Sequence, residues 1–217
     1  MSYFIDESAF TCDMITERIL NTDLIPSLEI LKERIPEVME TFKAAGVGNL
    51  SDLRKMLKSK AKLPQTAQKL KMEEDDLILL RREVEGWIAK VRKLDEFDWI
   101  DPRLRQKLAA GGITDSEKAF GRLSAEGQIQ KTGKDLDVPE AVLQEIYGIS
   151  DLLRIRWLSP GFARGFYDLG YTADRIRQAD PGKLTEEIDR HNKEKNYYNG
   201  KVGERDIRRI IFESRFV

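Results

Sequence analysis

One short pattern recurs three times in the sequence and constrains how it can fold. It is clearest from Pro160 to Gly170, Pro-Gly-Phe-Ala-Arg-Gly-Phe-Tyr-Asp-Leu-Gly, and recurs from Pro102 to Gly112 and, more faintly, from Pro36 to Gly46. Between each proline and glycine the apolar residues fall at helical spacing: Val38, Phe42 and Ala45; Leu104 and Leu108; Phe162, Phe166 and Leu169. Such spacing puts them on one face of a helix. Proline suits the first helical turn, where its missing N–H is not needed, so a helix is predicted to start at Pro36, Pro102 and Pro160. Glycine ends the helix because it adopts the left-handed conformation without steric cost. An apolar residue follows each glycine, Val47, Ile113 or Tyr171. Asn49 and Thr114 or Asp115 can then cap the next helix, and Thr172 stands in the corresponding turn.

A second marker lies downstream of each copy. Met72-Glu73-Glu74 with Leu77 and Leu80 matches Val138-Pro139-Glu140 with Leu143 and Ile146. Both match Val202-Gly203-Glu204 with Ile207 and Ile210. Each reads as the start of a further helix, with an acid near the positive end of the dipole and paired aliphatics facing the core. The stretches before these markers, 58–71, 124–137 and 192–201, read as loops. Two markers in the same order define a repeat. No alternating, β-branched run argues for a strand. The expected fold is therefore all-α: three tandem degenerate helix-hairpin-helix-like repeats packed into one body. The expected divisions are an extension over 1–27, with a short helix over Asp13–Leu20, and repeats over 28–93, 94–151 and 152–217. Helices near Glu74–Lys93 and Glu140–Arg156 are expected to join them.

The two-helix unit with its hairpin resembles the helix-hairpin-helix superfamily. It is most similar to a bacterial helix-hairpin-helix-related domain of unknown function. The residues that carry the likeness are Asp151-Leu152-Leu153-Arg154-Ile155, the turn Gly170-Tyr171-Thr172, and Ala179-Asp180-Pro181 with Leu184. The likeness is best over 139–191, weaker over 74–123 and faint over 28–57. It implies contact with a nucleic-acid backbone, with hairpin amides at a helix N-terminus accepting a phosphate. The matching hairpin, Trp157-Leu158-Ser159-Pro160-Gly161, departs from the superfamily pattern, since Leu158 and Pro160 replace residues that keep the backbone close and the amide free. In the second copy Asp101 would repel a phosphate.

Charge bounds the partners. The chain has 37 Lys plus Arg against 38 Asp plus Glu, a balance unlike that of a strongly basic nucleic-acid protein, so any such binding must be local. The strongest local feature is Arg54 to Lys71, which contains Arg54, Lys55, Lys58, Lys60, Lys62, Lys69 and Lys71 and no acid. It reads either as a phosphate-tracking patch or as a solvated helix end offset by Glu73–Asp76. Arg154, Arg156 and Arg164 flank the third hairpin and, with Gly161, are the conventional phosphate candidates. Nearby Asp151, Asp168 and Asp174 can equally pair with such arginines.

Other residues offer less. Trp99 and Trp157 are expected in the core. His191, the only histidine, reads as a surface residue at a helix end. Cys12 is the only cysteine, so no intramolecular disulfide can form, and it has no partner that marks a nucleophile. No metal cluster, phosphate loop, dinucleotide fingerprint or nucleophile elbow is present in the sequence. No cofactor or small-molecule substrate is expected. The N-terminus lacks the basic and apolar regions of a signal peptide, and no run is long enough for a membrane span, which together point to the cytoplasm. The expected function is a non-enzymatic helical binding module taking DNA or RNA backbone through Arg154, Arg156, Gly161, Arg164, Lys58, Lys60 and Lys62. The alternative is a protein–protein interaction scaffold with no nucleic-acid role.

Overall fold

A computed structural model describes residues 2–217. The protein is all-α, with thirteen α-helices and no strand among the described residues. It divides into two compact units. One comprises Asp6–Ile88, and the other Met1–Ile5 together with Ala89–Val217.

The Asp6–Ile88 unit contains α1 (Cys12–Asn21), α2 (Ile30–Ala44), α3 (Leu50–Leu57), α4 (Leu63–Leu70) and α5 (Glu74–Glu85). Thr11 caps α1 by accepting from the Met14 N–H at 3.3 Å. Ile15 and Ile19 of α1 and Leu31, Ile35, Met39 and Phe42 of α2 are fully buried. The close of α2 follows the sequence argument: Gly46 has φ 88°, and the Val47 N–H reaches back to the Phe42 carbonyl at 3.0 Å. Asn49 then accepts from the Asp52 N–H at 3.0 Å to start α3. Leu77, Leu80 and Val84 of α5 complete the core.

The second unit contains α6 (Pro102–Ala110), α7 (Ser116–Leu123), α8 (Gln128–Leu136), α9 (Glu140–Leu152), α10 (Pro160–Asp168), α11 (Ala173–Arg177), α12 (Pro181–Lys195) and α13 (Glu204–Glu213). The same joint recurs twice. Gly112 (φ 84°) and Gly170 (φ 77°) close α6 and α10, with the Ile113 N–H on the Leu108 carbonyl and the Tyr171 N–H on the Phe166 carbonyl, each at 2.9 Å. Asp115 and Thr172 cap α7 and α11. A second left-handed joint also occurs three times, at Lys71, Asp137 and Asn196, which end α4, α8 and α12. One continuous core runs from Leu94 to Ile210 around Phe97, Leu108, Leu143, Ile146, Phe166 and Ile176.

Several sequence expectations are corrected. Pro36 lies inside α2 and does not begin it. Leu31, Ile35, Val38, Met39 and Phe42 form an unbroken stripe across the proline, and burying five side chains outweighs the roughly 3 kcal/mol that an interior proline costs. The stretches 58–71 and 124–137 contain α4 and α8 where loops are expected. Each of these helices buries only two residues, Leu63 and Ala67 or Thr132 and Gly133, so their apolar period is faint. Helices α5 and α9 end at Glu85 and Leu152, short of Lys93 and Arg156.

Candidate nucleic-acid interface

The arginines nominated by the hairpin logic are committed to contacts within their own unit. Arg154 is buried: its Nε donates to the Tyr3 carbonyl at 3.3 Å and its Nη1 to Asp151 at 2.7 Å, and it stacks 4.7 Å from the Phe120 ring centroid. Arg156 lies 3.8 Å from the buried Glu213 carboxylate and 4.3 Å over the Trp157 ring. Arg164 sits between two rings, 4.7 Å from Trp99 and 4.5 Å from Tyr197, with Glu145 at 3.5 Å. Gly161 makes a close approach, but to protein: an added Cβ would collide with the Tyr197 carbonyl oxygen. Tyr198 stacks on Phe162 beside it, with ring centroids 5.1 Å apart. The first turn of α10 is therefore covered by the segment after α12.

The lysine stretch is arranged differently. Leu57 and Leu63 are buried and fix the two ends of a short corner, a 3₁₀ turn over Lys60–Lys62. Lys58, Lys60, Lys62, Lys69 and Lys71 are exposed, and no acidic side chain among the described residues pairs with any of them. Lys55 is loosely held by Asp52 at 3.5 Å. Arg54 does not belong to this surface, because it bonds Glu7 at 2.6 Å and Glu85 at 3.3 Å. The corner thus presents three free ammonium groups, Lys58, Lys60 and Lys62, with no aromatic residue among them, and Lys69 and Lys71 follow at the other end of α4. The corner suits phosphate charge and not base stacking.

The aromatic expectations divide. Trp99 is half-buried and donates from its indole N–H to Glu145 at 2.8 Å. Trp157 is 47% exposed, in a left-handed backbone with φ 78°, so the core position expected for it is corrected. Ile155 and Leu158 on either side of the Arg156–Trp157 pair take the buried places. The tryptophan that does fill a core is Trp87, whose N–H donates to Glu83 at 2.9 Å and whose ring carries Arg18 at 4.3 Å. No repeat position marks Trp87, though the apolar spacing Leu77, Leu80, Val84, Trp87 of α5 and its continuation does.

His191 is half-buried where a surface position is expected, with its ring against Tyr197 and Nε2 3.6 Å from Asp168. Cys12 is buried and its thiol donates to the Val47 carbonyl at 3.2 Å; burial pushes its pKa up, away from a reactive thiolate. Among the described residues no group of three or more His, Cys, Asp or Glu is placed to hold a metal ion, and no helix is long and apolar enough to cross a membrane. No protein-family model, curated protein or solved structure matches the chain.

Proposed function

We propose that the protein is a non-enzymatic cytoplasmic binding module that holds a DNA or RNA backbone, without reading its sequence, on the lysine corner of the Asp6–Ile88 unit. The observation that carries this reading is the contrast between the two cationic groups. Arg154, Arg156 and Arg164 spend their charge on internal carboxylates, carbonyls and rings. Lys58, Lys60, Lys62, Lys69 and Lys71 spend theirs on nothing within the chain. Unpaired surface lysines on a protein of balanced net charge give local, salt-sensitive affinity for phosphates. On the same reading the helix sets α2–α5, α6–α9 and α10–α13, each with a left-handed glycine joint and then a left-handed polar joint, are degenerate copies of a helix-hairpin-helix-like unit. The copies keep the architecture and have moved the cationic contact away from the hairpin.

The test is an anisotropy titration with duplex DNA, single-stranded DNA and RNA at low and near-physiological salt. Binding is expected to weaken steeply with salt, and K58E/K60E/K62E is expected to reduce the slope of log K against log salt by roughly three. No binding at low salt, or binding untouched by the triple reversal, would sink the proposal.

One observation favours the protein-scaffold reading. Trp157 projects with Arg156 stacked on it at 4.3 Å, and tryptophan and arginine are both among the residues enriched at interface hot spots. A partner captured by the wild type and lost with Trp157→Ala, at a salt concentration that leaves binding unchanged, would favour it.

A further inference from the structure

The Ala89–Val217 unit contains an open groove of about 560 Å³, within the usual range for small-ligand sites. One wall is Lys93, in extended backbone, with the 3₁₀ turn Leu94–Glu96 that follows it, pinned antiparallel to the start of α7 at Lys93. There the Leu94 N–H donates to the Thr114 carbonyl at 3.0 Å and the Ser116 N–H to the Arg92 carbonyl at 2.8 Å. The other wall is one face of α6, where Pro102, Arg105, Gln106 and Ala109 follow helical spacing. Leu104 and Leu108 turn the remaining side of that helix to the core.

The hydrogen-bonding capacity of the groove is lopsided. Arg105 makes one long hydrogen bond, to the Asp95 carbonyl at 3.4 Å, with the Asp95 carboxylate 3.8 Å away, so most of its N–H groups remain open. The Lys93 ammonium and the Gln106 amide have no partner among the described residues. The two acids in the lining do not offset this. Asp115 is occupied: it accepts from the Lys118 N–H at 2.9 Å and the Thr114 hydroxyl at 2.8 Å, with the Lys118 ammonium at 3.5 Å. The Asp95 carboxylate is 91% exposed to water. Open donors therefore face the groove above an apolar strip of Leu94, Pro102 and Ala109.

We propose that this groove binds a small organic anion, a carboxylate or phosphate monoester, with its head on Arg105 and Lys93 and its apolar body against Pro102 and Ala109. A guanidinium fork matches both head groups through paired N–H bonds. The site lies in a different unit from the lysine corner and goes beyond backbone binding; either can fail without the other.

The test follows backbone amide shifts of the whole chain on titration with benzoate, phenyl phosphate, inorganic phosphate and benzyl alcohol. Benzoate or phenyl phosphate is expected to shift Gln106, Ala109 and Thr114 saturably in the millimolar range or below, and the stronger of the two identifies the preferred head group. Inorganic phosphate and benzyl alcohol, each carrying half the recognition, are expected to bind at least about tenfold more weakly. Arg105→Gln is expected to cost about tenfold. Ala109→Trp, which fills the groove from an exposed position, is expected to abolish the shifts, and Lys93→Gln is expected to weaken them; these two decide the matter if Arg105→Gln fails to fold. Absence of localised shifts, equal binding of benzyl alcohol, or affinity unchanged in Ala109→Trp and Lys93→Gln would overturn the proposal.

Discussion

The hydroxyls of Tyr3 and Ser116 meet at 2.9 Å although 113 residues separate them in sequence. Tyr3 also donates to the Lys90 carbonyl at 3.3 Å, and its ring packs edge-on to Phe120. Burial disfavours the phenolate, and this effect outweighs the Ser116 hydrogen bond and the Arg154 charge, pushing the Tyr3 pKa up to about 12. In the unfolded chain a tyrosine ionises near pH 10. Below that value both states hold the proton and stability does not depend on this group. Above it the unfolded chain ionises first, so stability is lost as pH rises from about 10 to about 12. Tyr171, also raised to about 12 by burial and by its 2.6 Å bond to Glu187, acts in the same window. The urea midpoint is expected to fall between about pH 9 and about pH 11, and less so in Tyr3→Phe. An equal fall in the variant would remove Tyr3 from the account.

Two glycines predict different outcomes for the same substitution. Gly112 has φ 84° and open space where a Cβ would go, so Gly112→Ala costs only backbone strain, about 1 kcal/mol. Gly161 lies in an ordinary helical turn, where alanine alone would help, but its Cβ would strike the Tyr197 carbonyl. Relief requires displacing the segment that stacks Tyr198 on Phe162 and is pinned by the Asn192 side chain, donating to the Tyr198 carbonyl at 2.7 Å. Gly161→Ala is expected to cost more, about 1–3 kcal/mol. Chemical denaturation of the two variants reads the difference, and a neutral Gly161→Ala would mean that the segment moves freely.

Tryptophan fluorescence separates the three indoles. Trp157 is exposed and Trp87 buried, so acrylamide is expected to quench wild type more than Trp157→Phe. Trp157→Gly is expected to cost little or to stabilise, because it removes a side chain from a left-handed backbone at φ 78°. Trp87→Ala, which empties a core site and removes the hydrogen bond to Glu83 and the ring under Arg18, is expected to cost about 3–5 kcal/mol.

What the sequence discloses depends on how local the cause is. The glycine joints at 46, 112 and 170 and the starts of α5, α9 and α13 are legible because each is set within a few residues, by a left-handed turn or an acid beside an aliphatic pair. The interior position of Pro36 is legible only by weighing the stripe of α2 against the proline. The fates of the arginines are local only in part, as in the Arg154–Asp151 pair three residues apart. Arg154 is claimed by the Tyr3 carbonyl, 151 residues away in sequence, and Arg164 is enclosed by Trp99 and Tyr197 from distant segments. The bridges Thr11 to Asn49 and Lys93 to Asp115, which tie an incoming segment to the capping residue after the glycine joints at 46 and 112, have no sequence signature at all.

The two cationic groups also make a stability prediction. Arg154 satisfies the Tyr3 carbonyl and Asp151 from a position 8% exposed and stacks on Phe120. Its removal takes the partner from the buried Tyr3 carbonyl, the ion pair from half-buried Asp151 and the cation from the Phe120 ring, and Arg154→Ala is expected to cost about 2–4 kcal/mol. Arg154→Lys recovers only part of this, because a single ammonium cannot reach both acceptors and stack. The Lys60 and Lys62 side chains touch nothing within the chain, so Lys60→Glu and Lys62→Glu are each expected to change stability by no more than about 0.5 kcal/mol. Thermal unfolding of the four variants side by side checks the distinction. If reversing the lysines destabilised the fold as much as losing Arg154, the lysine corner would be structural, and the argument that its charge is free for a partner would fall with it.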